Sequence, residues 1–444
     1  MRKLLCGIAL LFLCALLLAG QEHGVFYDEN IDDFLFLQLK NKIPLVVKRN
    51  QSDIIALRIV IEGGAPLETP ENAGLEDFTL DLMRRGSRKF SYDAVRKIAY
   101  EESAELSASS GIDYSVFGFT CIKSSLSTLY NLFEDSFFNP RFDKAEYERL
   151  LLEAAQSLAK KQNDPYSVLV RTTMQAIYEG HPYASSSGMT ESSLQSITMD
   201  AIADCHGRML DSRRLSFVLV GDLSAKEIKS LQKKLDKSFG KIAAKGYARP
   251  EIPPVRLAAE TRYAALPTAG DSGYIFGCYS APSRNADDYI AFALATMVLD
   301  NEYFLGVREK DGAVYTVNST AFGGRQNVGV LSLYKAAQNA GLPQSIRRAQ
   351  LNFPSGQALA AAVEDHKNVY INSVYSSVCT SGGIAGQIIA GLEYYGDATA
   401  YLRRMAQIRA VTANDVAAAF KKYIEQEYLW CVVCAPGAEK KFGL

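Results

Sequence analysis

From residue 33 the chain alternates short apolar runs with polar breaks. DFLFLQLKNKIPLVV (33–47) reads as two short strands about the turn Lys40–Asn41–Lys42. IIALRIVIE (54–62) reads as a third, rich in β-branched residues and ended by Gly63 and Gly64. After a Gly- and Pro-rich loop the spacing changes. Leu75, Phe78, Leu82 and Met83 recur at helical intervals and predict a helix that stops near Gly86. Ser91 is placed to cap a second helix over about 92–106. A strand over 114–122, a helix from near Ser125 and a long helix over about 144–162 follow, the last broken by NDPY at 163–166.

The same pattern then comes twice. SITMDAIADCHGRMLDSRRLSFVLVGD (196–222) and AVTANDVAAAFKKYIEQEYLWCVVCAP (410–436) align without a gap at a constant offset of 214 residues, from Ser196 to Ala410. Each holds a capping threonine (Thr198, Thr412), an amphipathic helix, a polar break and an apolar strand. An offset that large implies a duplicated domain rather than a solenoid unit. Residues 241–256, with Pro250, Pro253 and Pro254, form the natural linker. The expected class is α+β: two tandem homologous domains at 25–240 and 257–444, each a β-sheet flanked by helices.

Composition adds three bounds. The chain has 444 residues, 48% apolar and 22% charged, which suits two globular domains. Residues 1–20, MRKLLCGIALLFLCALLLAG, have the plan of a secretory signal peptide, with an uncleaved anchor as the alternative. No later segment reads as long and apolar enough to span a bilayer, so an exported protein, periplasmic or extracellular, is expected. The formal charge of −1 becomes −3 without Arg2 and Lys3, so nothing in it points to a nucleic-acid partner, and none is expected. The six later cysteines are scattered. Cys431 and Cys434 are three apart on an apparent strand and so face opposite sides, which makes them poor partners for one metal.

Candidate chemistry centres on GLEDFTLDLMRRG (74–86), where Asp77 and Asp81 lie one helical turn apart and share a face. The chain here is similar to the insulinase/mitochondrial-processing-peptidase family of zinc peptidases. The resemblance rests on GGAPLETPENAGLEDF, RRGSRKFS, the long helix ending in NDP, HPYASSSG (181–188), FVLVGDL (217–223) and FLGVREKDGAVYTV (304–317) in that order. It implies two similar domains that form half of a peptidase clamshell closing about an extended peptide. Active members carry H-x-x-E-H on the first of these helices, two imidazoles holding zinc and the glutamate activating water.

Matched to that motif, the first histidine position is Asp77, the base is Leu80, the second histidine is Asp81, and the downstream ligand falls at Ser157. No ligand or base is kept, and no two of His23, His181, His206 and His366 are near enough in sequence to rebuild the pair. Arg84 and Arg85 are spaced to neutralise Asp81. Two aspartates with Glu153 would suit only a hard cation such as Ca²⁺ or Mg²⁺. The second-half motif is kept: the resemblance gives Arg308 and Tyr315 roles in holding the peptide backbone and the tetrahedral intermediate. Ser107, Ala108 and Ser109 fall on the edge strand where substrate adds as a β-strand. The expectation is an exported subunit with no cofactor of its own and no catalysis alone. It pairs with a zinc-bearing homologue, or with itself, and lends Arg308 and Tyr315 to a composite site. A peptide-binding or structural clamshell and a peptidase with an unusual metal are the alternatives.

Overall fold

In the computed structural model, which describes residues 31–444, the β-branched runs pair into two sheets. The expected leader at 1–20 lies outside the described residues. The first sheet contains β1 (Phe34–Gln38), β2 (Pro44–Arg49), β3 (Ile54–Glu62), β4 (Leu106–Ser110), β5 (Tyr114–Ile122) and β6 (Leu215–Gly221), in the order β1-β2-β6-β3-β5-β4. The second contains β7 (Thr261–Ala265), β8 (Ser272–Ser280), β9 (Val314–Gly323), β10 (Asn327–Ala337) and β11 (Leu429–Cys434), in the order β7-β11-β8-β10-β9. With β1 set aside, the two orders correspond strand for strand. Each sheet has one parallel pairing, at the equivalent place: β2 with β6 and β7 with β11.

Helices of the first half are α1 (Leu75–Met83), α2 (Tyr92–Glu101), α3 (Leu126–Phe138), α4 (Lys144–Gln162), α5 (Pro165–Ile177), α6 (Glu191–Ser196), α7 (Met199–Met209) and α8 (Ala225–Ser238). Those of the second are α9 (Tyr289–Tyr303), α10 (Leu342–Leu351), α11 (Gly356–Ser377), α12 (Ser381–Ala390), α13 (Arg404–Ala410) and α14 (Ala413–Ala419). The 214-residue repeat holds in space. Met199 and Ala413 open equivalent helices, capped by the Thr198 and Thr412 side chains, and Leu215 and Leu429 open equivalent strands.

Two expectations change. Helix α2 stops at Glu101 rather than near 106, because Ser103 adopts a left-handed φ of 48° that turns the chain into β4. The sequence also appeared to lack a later membrane-length apolar segment. Yet Tyr289–Lys310 is a continuous helix of 22 residues containing an 18-residue stretch of mean hydropathy 1.4, long and apolar enough by length and composition to cross a bilayer. Its Phe292, Leu299 and Tyr303 are fully buried in the core of the second half.

Alternate residues of β3 explain the layering. Ile55, Leu57, Ile59 and Ile61 face one core with α1, α3 and α7, whereas Ala56 and Val60 face another. That second core is completed by Ile384, Ile388 and Ile389 of α12, which comes from the other half of the chain. The reverse holds for the second sheet. Tyr274, Phe276, Val330 and Val433 pack on Val168, Leu169 and Ile177 of α5, from the first half. Shifted by 214 residues, α5 overlies α12, so the halves exchange equivalent helices. Burial of three isoleucines alone contributes roughly 5 kcal/mol or more. Cys431 and Cys434 face opposite cores, as their spacing predicts.

Polar contacts close the seam. Arg249, in the stretch between α8 and β7, bonds Glu62 of β3 at 2.7 Å and Glu393, just after α12, at 2.9 Å. Gly64 lies where the loop after β3 crosses the β4–β5 turn; its φ is +63° and an added Cβ would fall 2.5 Å from the Gly111 oxygen.

Candidate functional site

Helix α1 begins against that loop. Glu68 accepts the N–H groups of Gly74 (3.1 Å) and Glu76 (2.7 Å), satisfying donors that the first turn leaves free. Burial pushes its carboxyl upward and these two N–H groups oppose the shift. Glu76 turns inward to a buried ion pair with Arg214 at 3.2 Å, which ties the helix to the base of β6. Leu80 has no exposed surface and packs in the first core.

Asp77 reaches the other way. Its Oδ1 accepts the Ser110 N–H at 3.3 Å, at the end of edge strand β4. Crowding by protein atoms raises its carboxyl, the Asp81 charge adds to this, and the Ser110 N–H pulls it back. The second half repeats the device. Asp300 of α9 accepts the Ser319 N–H of edge strand β9 at 2.6 Å. Edge strands β4 and β9 thus each have one backbone donor stopped by an aspartate from a preceding helix.

Asp81 pairs with Arg84, as the spacing predicts, and Arg84 also donates to the Leu106 carbonyl at 3.3 Å. Arg85 does not share that task. Its guanidinium is taken by Glu153 at 2.6 Å and Glu146 at 3.6 Å on α4, since the next residue of a helix points about 100° away. Glu153 is therefore already engaged rather than free to join the aspartates.

Asp77, Ser110 and Ser157 line one cleft of about 630 Å³, and neither Leu80 nor Asp81 lines it. Its far wall is built from Ser157 and Lys161, one turn apart on α4, and from Tyr166, Ser167 and Arg171 of α5. The 184–188 loop closes one end; Ser185 Oγ donates to the Ala65 carbonyl at 2.8 Å. Ser107 and Ser109 are exposed on β4 and Ala108 is half-buried, with Ser107 Oγ donating to the Gly118 carbonyl at 3.3 Å.

Arg308 sits on a π-helical turn, its guanidinium 4.9 Å from the Phe304 ring centre and 3.7 Å from Glu309. Tyr315 is 68% exposed near the start of β9. Its ring centre lies 6.5 Å from Tyr334, which in turn lies 6.1 Å from Tyr166 in the cleft wall. An aromatic row thus runs from the cleft to the second-half motif. Sequence reading took NDPY only as a helix break and so missed Tyr166. It also missed Lys161 and Arg171, although the i,i+4 step from Ser157 to Lys161 was available.

The donors at Asp77, Asp81 and Ser157 do not fit a zinc ion. They offer no imidazole or thiolate, Asp81 is neutralised by Arg84, and Asp77 holds a backbone N–H. Among the described residues no three His, Cys, Asp or Glu side chains converge as a metal site.

The model for insulinase (peptidase family M16) matches residues 45–191, and the model for the peptidase M16 inactive domain matches residues 196–350. No curated protein matches the sequence. Among solved structures, the chain is similar to a peptidase M16 inactive domain from Pseudomonas fluorescens, with 17% identity and a TM-score of 0.79 over 92% of this chain and 99% of that one. A protease from Helicobacter pylori matches at 15% identity and a TM-score of 0.79, over 90% of this chain and 99% of that one. The periplasmic protease PqqL from Escherichia coli matches at 12% identity and a TM-score of 0.76; 94% of this chain covers 48% of that protein, about half its length. At these identities the structural matches establish the fold.

Proposed function

Because the chain belongs to the insulinase (M16) family of peptidases, we propose that it is an exported, non-catalytic subunit of a zinc peptidase. It pairs with a zinc-bearing homologue, and the two half-shells enclose a peptide. Its own contribution is Arg308 and Tyr315, a guanidinium and a phenol suited to hold a peptide carbonyl and a developing oxyanion. The observation that carries this reading is the contrast between the two halves. Leu80, which the family motif matches to the water-activating glutamate, is fully buried, while Tyr315 and half-exposed Arg308 are open to a ligand. The match to about half the length of PqqL supports a two-shell assembly.

The test is reconstitution with a homologue that carries an intact H-x-x-E-H. Arg308→Ala and Tyr315→Phe are expected to lower peptide turnover by the pair about 100-fold with assembly unchanged. Zinc at one equivalent and hydrolysis by the lone chain would falsify the proposal. Unchanged turnover would favour a peptide-binding clamshell, a reading that the open cleft beside Asp77 and Ser157 also supports.

A further inference from the structure

The hydrogen-bonding capacity left over in the cleft is one-sided. Its two carboxylates already accept backbone donors: both oxygens of Glu68 accept N–H groups at the start of α1, and Oδ1 of Asp77 accepts the Ser110 N–H. Its two cations are not so engaged. Among the described residues, the Lys161 and Arg171 side chains make no hydrogen bond or ion pair. Arg171 is half-buried and comes from α5, while Lys161 comes from the adjoining end of α4. Ser157, one turn before Lys161, adds an exposed hydroxyl without a partner. Two cations without partners on one wall leave their N–H donors available to an anionic ligand. A planar guanidinium takes a carboxylate through two parallel N–H donors, which a hydroxyl or an amide cannot match.

We propose that this cleft is a carboxylate-binding site for a peptide, held by Arg171 and Lys161 with Ser157 at its side. The proposal rests on the peptide-binding reading of the same cleft and names the class of peptide that it takes. The carboxylate comes from an acidic side chain or from a free C-terminus. Tyr166 and the aromatic row to Tyr315 supply flat surface for the flanking residues.

Binding to the full chain is measured by fluorescence anisotropy with three labelled alanine hexapeptides. The first is blocked at both ends and carries one glutamate, the second is the same with glutamine, and the third lacks the glutamate but has a free C-terminal carboxylate. The glutamate peptide, the free-carboxylate peptide or both are expected to bind roughly tenfold tighter than the glutamine peptide, and which of them does so identifies the source. Arg171→Gln is expected to remove that preference and Lys161→Gln to reduce it several-fold. Lys161 is exposed, so its variant folds independently of any packing role of Arg171. Equal binding of all three peptides overturns the carboxylate site and leaves the peptide-binding reading intact. Absence of binding by any of them, in a chain with unchanged circular dichroism, overturns both. A preference that survives both substitutions also overturns it.

Discussion

Asp113 and Arg325 stand at the tips of equivalent hairpins, β4–β5 and β9–β10, and bond to each other across the seam between the halves. The Arg325 backbone N–H donates to one carboxylate oxygen at 2.6 Å and its Nε to the other at 3.0 Å. Tyr183 Oη donates to the same carboxylate at 2.6 Å. The Asp113 side chain has no exposed surface, and at Gly324 an added Cβ would lie 1.9 Å from its Oδ2. Two turns that correspond by duplication therefore meet as a complementary pair.

Removing the Arg325 guanidinium leaves the buried Asp113 carboxylate without its countercharge. Arg325→Ala is expected to lower stability by about 3 kcal/mol, read as a fall in the urea midpoint at constant m-value. Gly324→Ala is expected to act in the same direction by pushing the tips apart. A loss under about 1 kcal/mol for Arg325→Ala would mean that the pair does not hold the seam.

Glu393 makes this seam sensitive to pH. Burial pushes its carboxyl up to about 7; Arg249 opposes the shift, and Glu62 and Asp113 add to it. Below pH 4.5 both folded and unfolded chains hold the proton, and no difference arises. Between about 4.5 and 7 the unfolded chain releases it first, so stability falls as pH rises, by roughly 3 kcal/mol over the window. Glu393→Gln should flatten this slope in melting temperatures measured from pH 4.5 to 8. An unchanged slope would assign it to another group.

The aspartate stops on the two edge strands give a local readout. Asp77→Ala frees the Ser110 N–H, and its amide exchange is expected to quicken about tenfold, whereas Asp77→Asn keeps an acceptor oxygen and most of the protection. Asp300→Ala should do the same at Ser319. Equal exchange in all variants would show that the strands are protected without these side chains.

The exchange of α5 and α12 predicts that the halves melt together. Residues 31–240 alone lack α12 and leave Val60, Val218 and Val220 uncovered. They are expected to show no cooperative thermal transition, while the whole chain shows one by both calorimetry and circular dichroism. A folded fragment with a sharp transition would overturn this.

How far the fold was legible depended on the range of the contact. Strands 54–62 and 114–122 were read to the residue, because inner strands covered on both faces carry long β-branched or aromatic runs. The duplication was legible because caps and strand starts kept their spacing. The helix exchange was not, since the isoleucines at 384, 388 and 389 look alike whichever sheet they cover. Within the site, matching Asp77, Leu80, Asp81 and Ser157 to the zinc motif is what the family resemblance implies, whereas the shared helix face of Asp77 and Asp81 could be read from spacing. The partner of Arg85 could not, because Glu146 and Glu153 are more than sixty residues away and are met only through helix packing.

The exchanged helices also constrain how such a chain can arise. A half-length chain buries its sheet only by lending its helix to a second copy and borrowing one in return. That is a domain-swapped dimer, and its stability falls on dilution. Joining the copies in one chain turns a bimolecular encounter into an intramolecular one, at an effective concentration of about millimolar. Fusion thus makes the exchange independent of protein concentration. It also lets the two copies diverge, so that Asp113 needs to meet only Arg325 and not a second aspartate.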